Sequence, residues 1–287
     1  MAKRKPREAK MILSAGKKGV GKTYQTLKLI TKYIRTTAIK KGRKFLIFDV
    51  NNEFGNVKKD HKNPNFPKIH NINLNQVRAF GRTTAPIVAR VSIFKDSGQQ
   101  MSMSEMSKAL GYILANYRNG GLLIEDLTKF VTDSMPGDLI GMICTQRHVS
   151  VDVVIHFQLM GKLFHPKLWG TCTEVRMHKT EDTVKRHESK VSGNIEHLQI
   201  MEALIAQKYA KGDHRFFCYL DKDYSKIKGN FSKLDFIKAI ESYLESNYNK
   251  VLKPLLDKRH IYTGEKLYQN QKQAVNAYIV RLMRQYL

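Results

Sequence analysis

Eight residues near the start of the chain, Gly16-Lys17-Lys18-Gly19-Val20-Gly21-Lys22-Thr23, satisfy the spacing G-x-x-x-x-G-K-[ST] at every defined position. Each residue type has a task at that spacing. Glycines let successive backbone N–H groups turn inward around a phosphate chain, and the start of the following helix adds its positive dipole end. A lysine at position 22 reaches the β- and γ-phosphates, and a threonine at 23 offers its hydroxyl to Mg²⁺. Gly16, Lys17, Lys18, Gly19, Val20, Gly21, Lys22 and Thr23 are therefore the expected cradle for a nucleoside triphosphate, ATP, with Mg²⁺. A chance glycine turn would lack suitable flanks. Here the apolar run Met11–Ala15 precedes the loop, and residues 22–40 follow it with Leu27, Leu29, Ile30, Tyr33 and Ile34 at helical spacing.

Phosphate cleavage also needs carboxylates, one for the water shell of the metal and one to orient the attacking water. Gly121-Leu122-Leu123-Ile124-Glu125-Asp126 places an acidic pair directly after a hydrophobic strand, at the end where open α/β sheets bind their ligands. By position Glu125 serves the Mg²⁺ shell and Asp126 orients water, although the order Glu then Asp leaves that division open. A solvated acidic turn is the plain alternative. Gln158 ends the next strand, where its amide either contacts the γ-phosphate and the water or is an ordinary loop side chain. His156, inside that strand, is expected in the core. Arg147 lies just before the strand; it either reaches a nucleotide on a neighbouring subunit or is a surface arginine. The catalytic candidates are thus Lys22, Glu125, Asp126, Arg147 and Gln158, and the metal candidates are Thr23 and Glu125.

These residues need a scaffold. Strand patterns at 44–49, 86–94, 122–124, 151–157 and 173–178 are separated by helical patterns at 102–117 and 138–146. Such an order calls for a mainly parallel α/β sheet covered on both faces. Residues 51–75 read as an irregular insertion. Two amphipathic helices at 197–210 and 233–246 flank a strand at 215–220, and after Asn247 the pattern is helical, basic and aromatic. The expected organisation is one α/β domain over residues 1–246, with its core at about 10–190, and a basic helical appendage over 247–287.

Composition narrows the partners. Of 287 residues 42% are hydrophobic, which suits a globular chain, while 50 Lys and Arg against 25 Asp and Glu leave a net charge of +25. That balance seeks a polyanion, and the composition argues against a calcium buffer or a secreted disulfide scaffold. Cys144, Cys172 and Cys218 are odd in number and have no zinc spacing, so reduced thiols are expected rather than a disulfide framework. No uncharged apolar run reaches about 18 residues, so no membrane span is expected. The basic first ten residues precede too short an apolar run for a signal peptide.

Positive charge gathers at Lys3, Arg4, Lys5, Arg7 and Lys10, at 40–44, and in the tail. Residues 248–287 carry eight Lys and Arg against Asp257 and Glu265, with Tyr248, Tyr262, Tyr268, Tyr278 and Tyr286 interleaved. Lysine and arginine on phosphates give sequence-independent, salt-sensitive affinity, and tyrosines can stack on bases. Tyr278, Leu282 and Tyr286 recur at helical spacing and read as packing. DNA, bound through its backbone, is the expected partner.

With these parts in this order, the chain resembles the additional-strand P-loop ATPases, and within them the FtsK–HerA group of DNA-pumping motors. Residues 16–23 look like their Walker A segment and 122–126 like their Walker B. Residues 44–54 (KFLIFDVNNEF) are similar to their second-strand segment, an Asp followed closely by an acidic residue. The stretch 147–158 resembles their run from an arginine to a strand ending in glutamine, and 163–183 the closing of their sheet. The resemblance covers about residues 10–190. It implies a RecA-like core, a ring, usually a hexamer, and ATP hydrolysis coupled to threading DNA through a basic pore.

The expected lack of a membrane span favours genome packaging, as in membrane-containing phages, or another DNA-transfer role over membrane-bound phage assembly. That implies a viral protein of the host cytoplasm or virion, docking at a portal or capsid vertex. Two alternatives differ in kind. Lys17 stands where the ParA/MinD partition ATPases carry a signature lysine, although Lys18 replaces their glycine. A basic nucleic-acid-binding protein could also hold the nucleotide as a non-catalytic brace.

Overall fold

The computed structural model describes residues 8–55, 65–95, 97–129 and 137–286. The basic cluster at Lys3, Arg4, Lys5 and Arg7 lies outside them. Among the described residues nine strands form one sheet: β1 Met11–Ala15, β2 Phe45–Asp49, β3 Ile69–Asn71, β4 Val88–Ser92, β5 Gly121–Ile124, β6 Asp152–Phe157, β7 Glu174–Met177, β8 Cys218–Asp221 and β9 Lys226–Gly229. Their order is β3-β4-β2-β5-β6-β1-β7-β8-β9. Strands β1 to β7 pair in parallel, and β8 and β9 close one edge antiparallel. One strand, β6, separates the phosphate-loop strand β1 from β5, the strand that ends in the acidic pair. This is the additional strand expected from the resemblance.

The helices are α1 Lys22–Ile34, α2 Val77–Arg82, α3 Met103–Asn116, α4 Gly137–Thr145, α5 Met160–Leu163, α6 Pro166–Thr171, α7 Ile195–Ala210, α8 Lys233–Ser246, α9 Lys253–Leu256 and α10 Gln271–Tyr286. Strand periodicity divides the core. Ile12, Phe45, Ile47, Leu123 and Val154 pack on α1 through Leu27, Ile30 and Tyr33. Their alternating neighbours Leu13, Leu46, Phe48, Ile124 and Ile155 join the larger core beneath α3, α4, α7, α8 and α10. Burial on both faces explains why the central strands read as continuous apolar runs. Helix α3 starts with a capping box in which Ser102 accepts from the Glu105 N–H and Glu105 accepts from Ser102.

Several sequence expectations are corrected. Helix α1 stops at Ile34 rather than near 40, because the β-branched pair Thr36 and Thr37 enters a turn. The Thr36 hydroxyl there accepts from the Gly42 N–H at 3.0 Å, and Thr37 bridges Lys40. The segment 51–75 is not wholly irregular: β3 adds an edge strand of three residues, too short to register as a pattern. Strand β9 escaped notice because lysines surround its one buried apolar residue, Ile227. The region after Asn247 is not helical throughout, since a hairpin bridged between Arg259 and Lys266 interrupts it. Tyr278 and Leu282 are buried, as their spacing suggested. Cys172 and Cys218 are buried free thiols and Cys144 is half-buried.

Candidate nucleotide site

The loop after β1 is shaped by its glycines. Gly19 and Gly21 hold φ values of 84° and 87°, a region costly to residues with a Cβ. Gly16 passes so close to His178 that a Cβ there would sit 2.7 Å from the His178 Cβ. Hydrogen bonds from Gly16 N to the Phe157 carbonyl (3.2 Å) and from Lys17 N to the Lys179 carbonyl (2.8 Å) tie the loop to β6 and to the end of β7. Among the described residues, no protein acceptor takes the N–H groups of Lys18, Gly19, Val20 or Gly21. Four successive free donors ahead of a helix form an anion nest.

Lys22 folds back into that cup, its ammonium donating to the carbonyls of Gly16 and Lys17, the latter at 2.8 Å. Burial lowers its pKa, opposed by the charges of Glu53, Asp126 and Glu125. Those opposing charges identify the acidic wall facing Lys22. Thr23, next on α1, donates to the Glu53 carboxylate at 2.5 Å.

The wall is built from strand tips. Asp49 ends β2, fully buried, and accepts from the N–H groups of Glu53 (3.0 Å) and Phe54 (3.1 Å) and from Arg90 (2.7 Å). These bonds fold the turn after β2 and aim Glu53 at Thr23. Burial still raises the Asp49 pKa despite the arginine. Glu125 follows β5 and accepts from both the backbone N–H and the side-chain amide of Asn51, at 2.8 and 2.9 Å. Burial first, and the Glu53 charge second, push its pKa up to about 8. Asp126 sits in left-handed backbone, φ 42°, and is fixed by Thr128 at 2.6 Å and by the Gln158 amide at 2.7 Å.

Beneath α1 runs a polar row in register across four strands: His156 on β6, Ser14 on β1, Arg176 on β7 and Tyr219 on β8. Arg176 is fully buried and donates to Ser14 at 3.0 Å, to Thr26 at 2.5 Å and to His156 at 3.1 Å; Tyr219 adjoins it, and among the described residues its Nη1 has no partner within hydrogen-bond distance. Burial lowers the Arg176 pKa. Burial, together with the charges of Arg176 and Lys22, drives His156 and His178 well below the ordinary histidine value, so both rings are neutral.

The structure therefore brings Lys22, Thr23, Glu125, Asp126 and Gln158 together, with the loop residues 16–21 around them. It does not bring in Arg147, which is exposed just before β6 begins and so lies at the opposite end of the sheet from the loop. Lys17 is held locally, its ammonium 5.0 Å over the ring of Tyr209. Lys18 is exposed. Sequence reasoning did not select Glu53 or Arg176 as site residues. The signal for Glu53 was its place four residues beyond Asp49, at the tip of a neighbouring strand. Arg176 gave no signal, because one arginine inside an apolar strand is not distinguishable by pattern in so basic a chain.

The donor set can be tested against a metal. Thr23, Glu53 and Glu125 offer only hard oxygens, which suits Mg²⁺. Among the described residues no group of three or more His, Cys, Asp or Glu side chains forms a metal cage. Mg²⁺ takes one or two protein oxygens and completes its shell with phosphate and water. Chemically, the arrangement can hold a triphosphate between free amides and an ammonium, and present carboxylates at its terminal phosphate.

No family model and no curated protein matches the sequence. Solved structures of similar shape exist. B204, the DNA-packaging ATPase from Sulfolobus turreted icosahedral virus, aligns at a TM-score of 0.47 and 14% identity, covering 76% of this chain and 95% of that one. The genome-packaging NTPase B204 from Sulfolobus turreted icosahedral virus 2, in complex with AMPPCP, aligns at 0.45 and 11% identity over 78% and 97%. The TcpA conjugation coupling protein of pCW3, with ATPγS, aligns at 0.37 and 12% identity over 74% and 57%.

Proposed function

We propose that this chain is an Mg²⁺-dependent ATPase that moves DNA, working as a hexameric ring in genome packaging or DNA transfer. The observation that carries the ATPase reading is the convergence of Lys22, Thr23, Glu53, Glu125, Asp126 and Gln158 around one anion nest. The net charge of +25 supports DNA as the cargo. Thr23, Glu53 and Glu125 would hold Mg²⁺, which would supply charge neutralisation to the phosphates.

The chain's own part is positioning and electrostatics. The amides of 18–21 and Lys22 bind and orient the phosphates, and the carboxylate of Asp126, steadied by Gln158 and Thr128, orients the attacking water. Arg147, far from its own chain's loop, could complete a site only on a neighbouring subunit. A ParA/MinD-like use of Lys17 requires it to leave Tyr209, so we favour the motor.

The test is ATP hydrolysis with and without DNA across about 50–200 mM salt. Stimulation that fades steeply with salt is the expected result. Turnover indifferent to DNA at every salt concentration would leave an ATPase without a DNA cargo, and no turnover would leave the non-catalytic brace. Electron microscopy with a non-hydrolysable ATP analogue checks the assembly, a ring for the motor and a two-subunit sandwich for the partition-type alternative.

A further inference from the structure

The hairpin between α9 and α10 holds two large apolar side chains in water. Ile261 is 92% and Tyr262 91% exposed. They do not dangle from a slack loop. The strands of the hairpin are joined from Leu267 N to the Lys258 carbonyl (2.9 Å) and from His260 N to the Glu265 carbonyl (2.8 Å). The tip is closed from Gly264 N to the His260 carbonyl (3.0 Å), with Gly264 at φ 73°. The Arg259 guanidinium braces it by donating to the Gly264 carbonyl at 2.9 Å, and the His260 ring lies 5.8 Å from that of Tyr262. A built turn that presents apolar surface to solvent marks a contact element.

Its flanks say what kind. Lys258, Arg259 and Lys266 surround the tip against Asp257 and Glu265, and none of the three cations enters an ion pair among the described residues. An apolar tip within a cationic collar suits a polyanion that also offers flat apolar faces. Single-stranded nucleic acid has both, phosphates for the lysines and bases on which a tyrosine ring stacks.

Resting on the proposed DNA-motor function, we infer that the 258–267 hairpin is a single-strand contact in which Tyr262 stacks on a base, Ile261 packs beside it and the flanking cations take phosphates. This site stands apart from the nucleotide cradle: among the described residues, the hydrogen bonds and ring contacts of the hairpin run within 255–267 and not to the residues around Lys22.

Tyr262→Trp provides the test, since the chain's single tryptophan, Trp169, is 1% exposed and contributes a constant background. An oligo(dT) strand should quench the new fluorescence, while inorganic polyphosphate, a polyanion without bases, should not. In parallel, Tyr262→Ala combined with Ile261→Ser should weaken oligo(dT) binding about tenfold or more, with basal ATP hydrolysis unchanged. Equal quenching by polyphosphate would overturn the stacking. Labelled oligo(dT) bound by Tyr262→Trp without quenching, or unaltered affinity in the double variant, would overturn the hairpin while the DNA function stood, leaving a protein partner for the tip. Failure of the unmodified protein to bind DNA would overturn both.

Discussion

Two sides of the nucleotide cradle are built on opposite terms. On the side of β2 and β5, four carboxylates crowd the strand tips, yet each has donors: Asp49 has Arg90 and two amides, Glu53 has Thr23, Glu125 has Asn51, and Asp126 has Gln158 and Thr128. On the side of β1, β6 and β7, Arg176 is buried beside two histidines and, among the described residues, faces no carboxylate and leaves its Nη1 without a hydrogen-bond partner. The acidic side is held together by the protein's own hydrogen bonds. The cationic side has an excess of positive field without a facing carboxylate, and the proposed triphosphate in the nest above it would supply the opposite sign. Lys22 stands at the seam, folded onto loop carbonyls and facing the acidic wall.

Breaking the seam should have the largest effect. Lys22→Ala removes the ammonium folded into the cup, and ATP hydrolysis should fall by at least about a hundredfold, measured as phosphate release at saturating Mg²⁺-ATP. Undiminished turnover would mean that phosphates are bound elsewhere.

The acidic wall can then be divided by kinetics. Asp126→Asn keeps the shape but weakens the orientation of water, so kcat should drop about a hundredfold at every Mg²⁺ concentration with nucleotide still bound. Glu53→Gln should instead raise the Mg²⁺ needed for half-maximal turnover, about tenfold, with much of kcat recovered at high metal. If the two variants exchanged behaviour, the roles of the two strand tips would be reversed. Gln158→Ala removes one of two donors to Asp126 and should cost kcat about three- to tenfold, with the Mg²⁺ requirement unmoved.

The same contrast explains what was legible in the chain. The loop 16–23 and the pair Glu125-Asp126 announce themselves because their chemistry is local, a fixed run of residues on a strand tip. Strand β6 with Gln158 followed from apolar periodicity. Glu53 was harder, since its place depends on Asp49 and Arg90 folding the turn after β2, and Arg90 lies 41 residues away from Asp49 in sequence. The row from His156 to Tyr219 exists only through the register of four strands, which no single segment encodes. Hairpin 258–267 was hidden for another reason: its residues are held by backbone bonds around Gly264, not by a hydrophobic face that would set a period.

The smallest effect probes the cationic side. Arg176→Met removes a buried charge that lacks a carboxylate and keeps most of the side chain's length. Replacing such a group by an apolar one of similar size commonly stabilises, and the bonds left behind are not all orphaned, because Thr26 and His156 already lie 2.8 Å apart. Without nucleotide, Tm should rise by about 2–4 °C, the shift expected for about 1 kcal/mol in a chain somewhat smaller than this one. With ATP the order should reverse, the variant gaining less from ligand because the field under the nest has weakened. Thermal denaturation at graded ATP concentrations reads both signs at once. A variant that melted earlier in both conditions would make Arg176 an ordinary structural pin, and one stabilised equally by ATP would place the triphosphate beyond the reach of its charge.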